Sequence, residues 1–386
     1  IRNITTIWNA QGALRQSCGC NWQRCCLESL RVSNGSSVPR ETTRWLEVVQ
    51  TVRFLVPGTT GRFLCGGLNV ELQTARLVNE LCPAQVVTYR QRQDDHLFLD
   101  DLLKQEDAHG DVLWVVSWGY DVPKLLRRLR GRLVAYHAHS SGYGFDLPPG
   151  VPVLAVSRNT LGYWGDRAPR NPLFLIPNVI ESFWLDDGAR SSQQKRPVDV
   201  FIQQRKNSNY VLKKLVPALE KQGLKVVIQS GWLDCLIDQF NSATVVIYDS
   251  SEYWRAVGVT EGFGLPPIEA LACGCIVFSS LNHALADIID PGLFGHQVGC
   301  GSLSFDVHRI VAAVANPQAW RPDPKRLTSV LEIHSELAFK QSWKRTLSAL
   351  DSYFSHQLHD DLPVKAPSLI YLKLRRILKR LKAIGL

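Results

Sequence analysis

The chain has 386 residues, 45% hydrophobic and 20% charged, a globular composition with room for two domains. It has no apolar run of the ~18 residues a membrane span needs and no collagen-like or heptad repeat, which excludes an integral membrane protein and a fibrous one. The formal charge of +9 is concentrated at the ends. Residues 1–50 carry six Arg and three Glu, residues 365–386 carry seven Lys or Arg and no acid, and the 314 residues between sum to −1. A nucleic-acid enzyme would spread positive charge over a folded face, so nucleic acid is not an expected partner.

Residues 1–50 are rich in Asn, Ser, Arg and Cys without periodicity, and are expected to form a poorly ordered extension. They lack the apolar segment of a secretory leader. Cys18, Cys20, Cys25 and Cys26 form C-x-C-x4-C-C, which is not a zinc spacing, and no His lies among these residues. The other six, Cys65, Cys82, Cys235, Cys273, Cys275 and Cys300, stand in apolar contexts and are expected in the core of a reduced, cytosolic protein. No Met occurs, even at position 1, so the start is taken as processed, mis-set or edited.

From residue 51, short apolar runs alternate with helical stretches. Strands are expected at 52–57, 84–89, 111–117, 132–137, 153–157 and 173–177, with helices at 69–81 and 122–129. A polar break at 186–197 marks a linker. The second series has strands at 198–203, 225–229, 244–248 and 275–279. Its helices are expected at 210–222, 233–241, 266–272, 307–314 and within 325–354. Continuous apolar strands alternating with helices specify parallel sheets covered on both faces. The expected fold class is α/β, with two Rossmann-like doubly wound domains, 51–185 and 186–345, facing a central cleft, and a helical segment at 346–386.

The strongest chemical signal is Glu261-Gly262-Phe263-Gly264-Leu265-Pro266-Pro267-Ile268-Glu269-Ala270-Leu271-Ala272-Cys273-Gly274. Glycines flank Phe263 in a loop that opens a helix, so backbone N–H groups and the helix N-terminus can meet an anion. Two carboxylates eight positions apart add groups suited to sugar hydroxyls. The plain structural reading is a turn entering a helix. This segment resembles the E-x7-E signature of retaining, nucleotide-sugar-dependent glycosyltransferases of the GT-B fold, the family 4 / group 1 type, and looser likeness extends over about residues 51–350. The resemblance implies that Glu261 and the N–H groups of Gly262, Phe263, Gly264 and Leu265 contact the donor sugar. Glu269 would then bind the ribose hydroxyls.

Other segments fit the same resemblance. Gly66 and Gly67 lie in the first βα turn, where such enzymes let backbone approach the donor diphosphate. His137 ends a strand in L-V-A-Y-H-A-H and matches a His beside the donor sugar, with His139 on the same face as its competitor. The pair could also bind a metal, but no acid or Cys lies near in sequence. Arg205 and Lys206 follow the first strand of the second domain, where the family grips the diphosphate. The segments A-V-S at 155–157 and I-P-N at 176–178 match architectural markers. The stretch 250–260, with Tyr253, Trp254 and Arg255, reads as a long loop beside the donor.

The resemblance implies transfer of a sugar from a nucleotide-diphosphate donor, with retention, to a glycan, lipid-linked or other acceptor, with 51–185 as the acceptor domain and 186–345 as the nucleotide-sugar donor domain. No D-x-D ends a strand, so no metal and no other cofactor is expected. Ile370, Leu374, Ile377, Leu381 and Ile384 recur at spacings of four and three, with Lys373, Arg376 and Arg380 on another face. This basic amphipathic helix suits an anionic membrane surface through residues 366–386, at the inner face of the membrane of a cytoplasmic enzyme, or else packs on the body. The alternatives are another GT-B sugar enzyme, epimerase or phosphorylase, and a non-catalytic binding partner.

Overall fold

The computed structural model describes residues 46–105, 111–186, 195–231, 233, 236–357 and 363–383. The expectations for the first 45 residues, for Cys235 and for most of the linker lie outside them.

Seven parallel strands form the first sheet: β1 (Thr51–Val56), β2 (Ala84–Thr88), β3 (Leu97–Phe98), β4 (Val112–Val116), β5 (Leu133–Ala138), β6 (Val153–Ala155) and β7 (Leu173–Leu175), in the order β3-β2-β1-β4-β5-β6-β7. Helices α1 (Gly66–Asn79), α2 (Leu99–Gln105), α3 (Val122–Arg128) and α4 (Arg158–Arg167) accompany it, whereas α5 (Ser182–Asp186), next in the chain, packs through Trp184 on the core of the second unit. The second sheet has β8 (Val198–Gln203), β9 (Val226–Gln229), β10 (Ala243–Tyr248), β11 (Ile276–Ser279) and β12 (His296–Gln297), in the order β12-β11-β10-β8-β9, again all parallel. Its helices are α6 (Val216–Lys221), α7 (Ile237–Ser242), α8 (Ser251–Val257), α9 (Leu265–Ala272), α10 (Leu285–Ile288), α11 (Leu303–Ala315) and α12 (Pro324–Ile333). Two helices follow, α13 (Glu336–Gln357) and α14 (Leu369–Ala383).

The central strands are apolar on both faces because helices cover both. Phe54 of β1 stands between Val86 and Val115, and Val246 of β10 between Phe201 and Val277. All six are buried or packed against a buried cluster. Strand order reverses between β1 and β4 in the first sheet and between β8 and β10 in the second. Ligands of doubly wound sheets bind at the carboxyl edge of such points.

Several short elements were not expected from the sequence: β3, β12, α2, α4, α5, α8 and α10. All but α4, which has ten residues, are too short for a periodic signal to emerge. The stretch 250–260, expected as a loop, contains α8, and the helix expected over 210–222 begins as a π-turn at Val211–Leu215 before α6. Cys82, Cys273 and Cys275 are buried, as expected. Cys300 is exposed, in a surface loop between Gly299 and Gly301.

α13 follows the second unit in sequence but packs on the first. Phe339, Trp343, Leu347, Leu350 and Phe354 share a core with Phe54 and Val115. The Asp351 carboxylate accepts the N–H groups of Glu47, Val48 and Val49 at 2.7–2.9 Å. Leu46 and Val49, placed by the sequence in the extension, are thereby buried in that core.

Candidate active site

The two units meet where β5 and β10 end. Beyond Ala138 the chain runs as His139-Ser140-Ser141-Gly142 toward the segment before α9. Thr260 N–H donates to the Ser141 carbonyl (3.0 Å), Ser141 N–H to Thr260 Oγ1 (2.9 Å), and Ser140 Oγ to the Thr260 carbonyl (2.5 Å). A Cβ on Gly262 would lie 1.4 Å from the His139 carbonyl oxygen, so only glycine permits this approach. Gly264 has φ +93°, and a Cβ there would lie 2.5 Å from Leu285 Cδ2. Phe263 is buried with its ring 5.1 Å from that of His334, and Leu265 leans on the same core. These two side chains are anchors. What Gly262 to Leu265 can offer a ligand is their backbone.

Glu261 is 5% exposed. Its Oε2 accepts from Tyr248 Oη (2.6 Å) and Trp254 Nε1 (2.7 Å), and Lys206 Nζ lies 3.6 Å from Oε1. Burial and the adjacent Glu261 push the Tyr248 phenol up, so it stays a donor. Glu261 N–H donates to His283 Nδ1 (3.2 Å). Lys206 Nζ also stands 4.5 Å over the Trp254 ring, a cation–π contact. Trp254, placed here by α8, is thus a site residue. The Tyr-Trp-Arg stretch signalled it, but not its bond to Glu261.

Among the described residues, the non-glycine positions with left-handed backbone are Lys206 (φ 71°) and His283 (φ 56°), and both touch Glu261. Such strain persists where surrounding structure over-determines it, commonly at functional sites.

Behind this loop lies an unexpected cluster. Glu71, on α1, is 1% exposed, and its Oε2 accepts from His137 Nδ1 and His139 Nε2, each at 2.7 Å. Burial alone would raise the Glu71 carboxyl, but the His137 and His139 rings together outweigh it and hold it at about 2. An ionised carboxylate only accepts, so each ring presents an N–H to it. Burial lowers the His137 imidazole from its ordinary value, against the pull of Glu71. His137 is 0% exposed, with its ring edge-on to Trp343 at 5.7 Å. His139 is the partly accessible member, at the seam with Gly262. The expected cleft histidine therefore stands behind its competitor. No local sequence signal pointed to Glu71, because it lies 66 residues before His137.

Glu71, distant in sequence from both histidines, is also an acid placed beside them as a metal ligand would be. One ligand atom from each of Glu71, His137 and His139 lies within 4.8 Å of the others. Ligands at ~2.0–2.1 Å around a tetrahedral zinc stand roughly 3.3 Å apart. The two 2.7 Å contacts to one oxygen are hydrogen-bond distances, so a metal would have to spread the cluster.

Gly66 and Gly67 open α1, with little or nothing within 4 Å of a built Cβ and no side chain capping the helix at Cys65. Arg205 is exposed beside Lys206. Glu269 stands on the first turns of α9. Burial, with Glu181 beside it, pushes its carboxyl up to about 8. The sequence-expected residues thus fall at the carboxyl edges of both sheets.

No family model matches the chain, and no curated protein matches it. Solved structures do. The sucrose-phosphate synthase of Thermosynechococcus elongatus matches with TM-score 0.58 at 14% identity, over 78% of this chain and 99% of that one. HepE of Anabaena, solved with UDP and glucose, matches with TM-score 0.55 at 14% identity, over 78% and 100%. A glycosyltransferase of Rickettsia africae matches with TM-score 0.54 at 12% identity, over 78% and 98%. With two parallel sheets of seven and five strands, the chain has the GT-B fold of these glycosyltransferases.

Proposed function

We propose that the chain is a glycosyltransferase that moves a sugar from a nucleotide-diphosphate donor to a glycan, lipid-linked or other acceptor with retention of anomeric configuration. The observation that carries this is the seam at Gly262, which brings Glu261, Lys206 and His139 to one locus at the mouth of both sheets. Glu269 takes the ribose hydroxyls. Its elevated carboxyl can donate to one hydroxyl as well as accept. Arg205, Lys206 and the N-terminus of α1 at Gly66 and Gly67 receive the diphosphate. His139 faces the sugar, with Glu71 and His137 fixing its orientation.

The anomeric C–O bond breaks and its electron pair leaves on the β-phosphate oxygen. The acceptor hydroxyl attacks the same face and passes its proton to that oxygen. The transition state is oxocarbenium-like, as in glycoside hydrolysis. Charge on the leaving diphosphate is met by fixed cations and N–H dipoles, so the reaction proceeds without a metal ion. Turnover is expected to be unchanged by EDTA.

α14 supports a membrane-surface role. Every described side chain on it is exposed, from Leu369 at 75% to Leu381 at 38%, and its apolar positions alternate with Lys and Arg. No helix among the described residues is long and apolar enough to cross a membrane. We place α14 on an anionic lipid surface, at the inner face of the membrane of a cytoplasmic enzyme.

Calorimetry with UDP, GDP and ADP tests the donor site. One nucleotide should bind the parent and bind Glu269→Ala at least about tenfold more weakly. No binding of any of them would overturn the reading.

A further inference from the structure

We propose that a basic pocket at the switch point of the first sheet binds a phosphate ester carried by the acceptor. The word acceptor rests on the transferase reading; the phosphate site does not.

Arg62, Tyr89, Arg90, Asp121, Lys124 and Arg128, with Leu125 at the base, line a cavity of about 370 Å³. That volume lies within the range of small-ligand pockets. Arg62 follows β1, Tyr89 and Arg90 follow β2, and Asp121 and Lys124 follow β4. These loops leave the carboxyl edge on both sides of the β1/β4 reversal, where a doubly wound sheet binds its ligand. Arg62 shares the β1–α1 connection with Gly66 and Gly67, while the other lining residues lie on segments that carry none of the donor groups described above.

The charge is unbalanced toward cations. Asp121 is already engaged: Arg90 Nη2 donates to both its oxygens at 2.5 Å and Tyr89 Oη to Oδ2 at 2.7 Å. Arg128 pairs with Asp100. Arg62 and Lys124 have no ion pair among the described residues, and Arg62 stacks over the Phe63 ring at 5.0 Å. Two cations are therefore left for an anion, beside two guanidinium groups held in place by acids. A guanidinium fork with a lysine point charge suits a phosphate oxygen cluster.

The pocket is coupled to the donor seam by packing. The turn Gly119–Asp121 supplies Asp121 to its lining. A Cβ on Gly119 would lie 2.3 Å from the Tyr143 ring, and Tyr120 meets that ring edge-on at 4.8 Å. Tyr143 follows directly on the His139–Gly142 segment that closes on Gly262. An acceptor anchored by its phosphate would thus present its hydroxyl toward His139 and the donor.

The test uses the full chain and Arg62→Ala/Lys124→Ala. Both side chains are exposed, and an unchanged melting temperature checks the fold. Glucose 6-phosphate and glucose are titrated by calorimetry as the soluble arm. Phosphatidylcholine vesicles with and without polyprenyl phosphate are cosedimented as the lipid arm. The phosphate-bearing probe of one arm should bind the parent, its neutral counterpart should not, and the double variant should bind it at least about tenfold more weakly. The arm that responds names the source of the phosphate. Both proteins carry α14, so its own lipid affinity cancels in the comparison. Equal binding by parent and double variant, loss in Lys206→Ala instead, or no binding in either arm overturns the proposal. UDP binding is measured on the same samples. If UDP fails and the phosphate ester binds, the donor reading fails and the pocket stands; the reverse sinks the pocket alone.

Discussion

Glu71→Gln tests the buried histidine cluster directly. Gln keeps the shape and one acceptor oxygen for His137 Nδ1–H and His139 Nε2–H, but removes the charge. The fall of the Glu71 carboxyl from its ordinary 4.5 to about 2 corresponds to roughly 3 kcal/mol of native-state stabilisation. A depressed acid contributes its stability above the unfolded value and loses it as pH falls through the folded one. The Glu71 contribution is therefore whole at pH 7 and disappears between about pH 4.5 and pH 2. His137, lowered by burial, acts in the same direction at higher pH, because below about 6.5 the unfolded chain takes up the proton first. Urea unfolding of parent and variant, followed by circular dichroism across this range, gives the difference. It should be roughly 3 kcal/mol at pH 7, fall to less than half of that at pH 3 and approach zero at about pH 2. A difference that is the same at pH 7 and pH 3, or under about 0.5 kcal/mol at pH 7, would refute the cluster as drawn.

Gly262→Ala must open the seam by about 2 Å to restore ordinary contact with the His139 carbonyl. Displacement on that scale should lower kcat/KM for the nucleotide sugar about a hundredfold or more, and an unaffected variant would count against the seam as the site. Glu269→Gln should raise the melting temperature at pH 8–9 while weakening nucleotide binding. A carboxyl whose folded value is raised to about 8 is stabilising when protonated, and that contribution is lost as pH rises through 8. A fall in melting temperature would contradict this. Removal of residues 366–386 should abolish cosedimentation with anionic vesicles, and in the parent that binding should weaken with salt. The body should melt unchanged, because the described side chains of α14 lie in solvent. Trp343→Ala should cost about 3–5 kcal/mol in the first unit, since Trp343 is fully buried against Phe54 and His137.

Legibility in the sequence followed the range of the interactions. The strands were readable because a sheet buried on both faces demands runs such as V-R-F-L-V and D-V-L-W-V-V, and that demand is local. The signature loop was readable as a resemblance, although the contacts that dictate its glycines are long-range: Gly262 meets His139 and Gly264 meets Leu285, approaches that only a missing Cβ allows. Glu71 was not. On α1 it is one polar residue in an ordinary helix, and only the β5–α1 packing brings it under two histidines. The allegiance of α13 was hidden likewise. Its apolar face gives a helix but not which sheet it covers. The choice between His137 and His139 turned on which of two residues on one strand face reaches past the sheet edge, and periodicity of two is blind to that.

The arrangement around Glu261 is costly as a piece of architecture. It buries a carboxylate, brings a lysine to it, and holds two non-glycine residues in left-handed backbone, each at a cost of order 1–3 kcal/mol. A buried ion pair is often no more stable than apolar side chains of the same volume. An apolar filling that replaced Tyr248 and Trp254 as well, so that no donor lost its acceptor, would spare the strain at Lys206 and His283. Stability alone therefore gives no reason for this group of residues. A reason exists if the pieces act on a ligand: Lys206 must reach forward to an anion, and Glu261 must hold it short of doing so until the anion arrives. The pair is then a preset charge whose partner changes when the diphosphate enters. The same logic separates this site from the Glu71 cluster, where acid and rings satisfy one another and the gain is rigidity behind the seam.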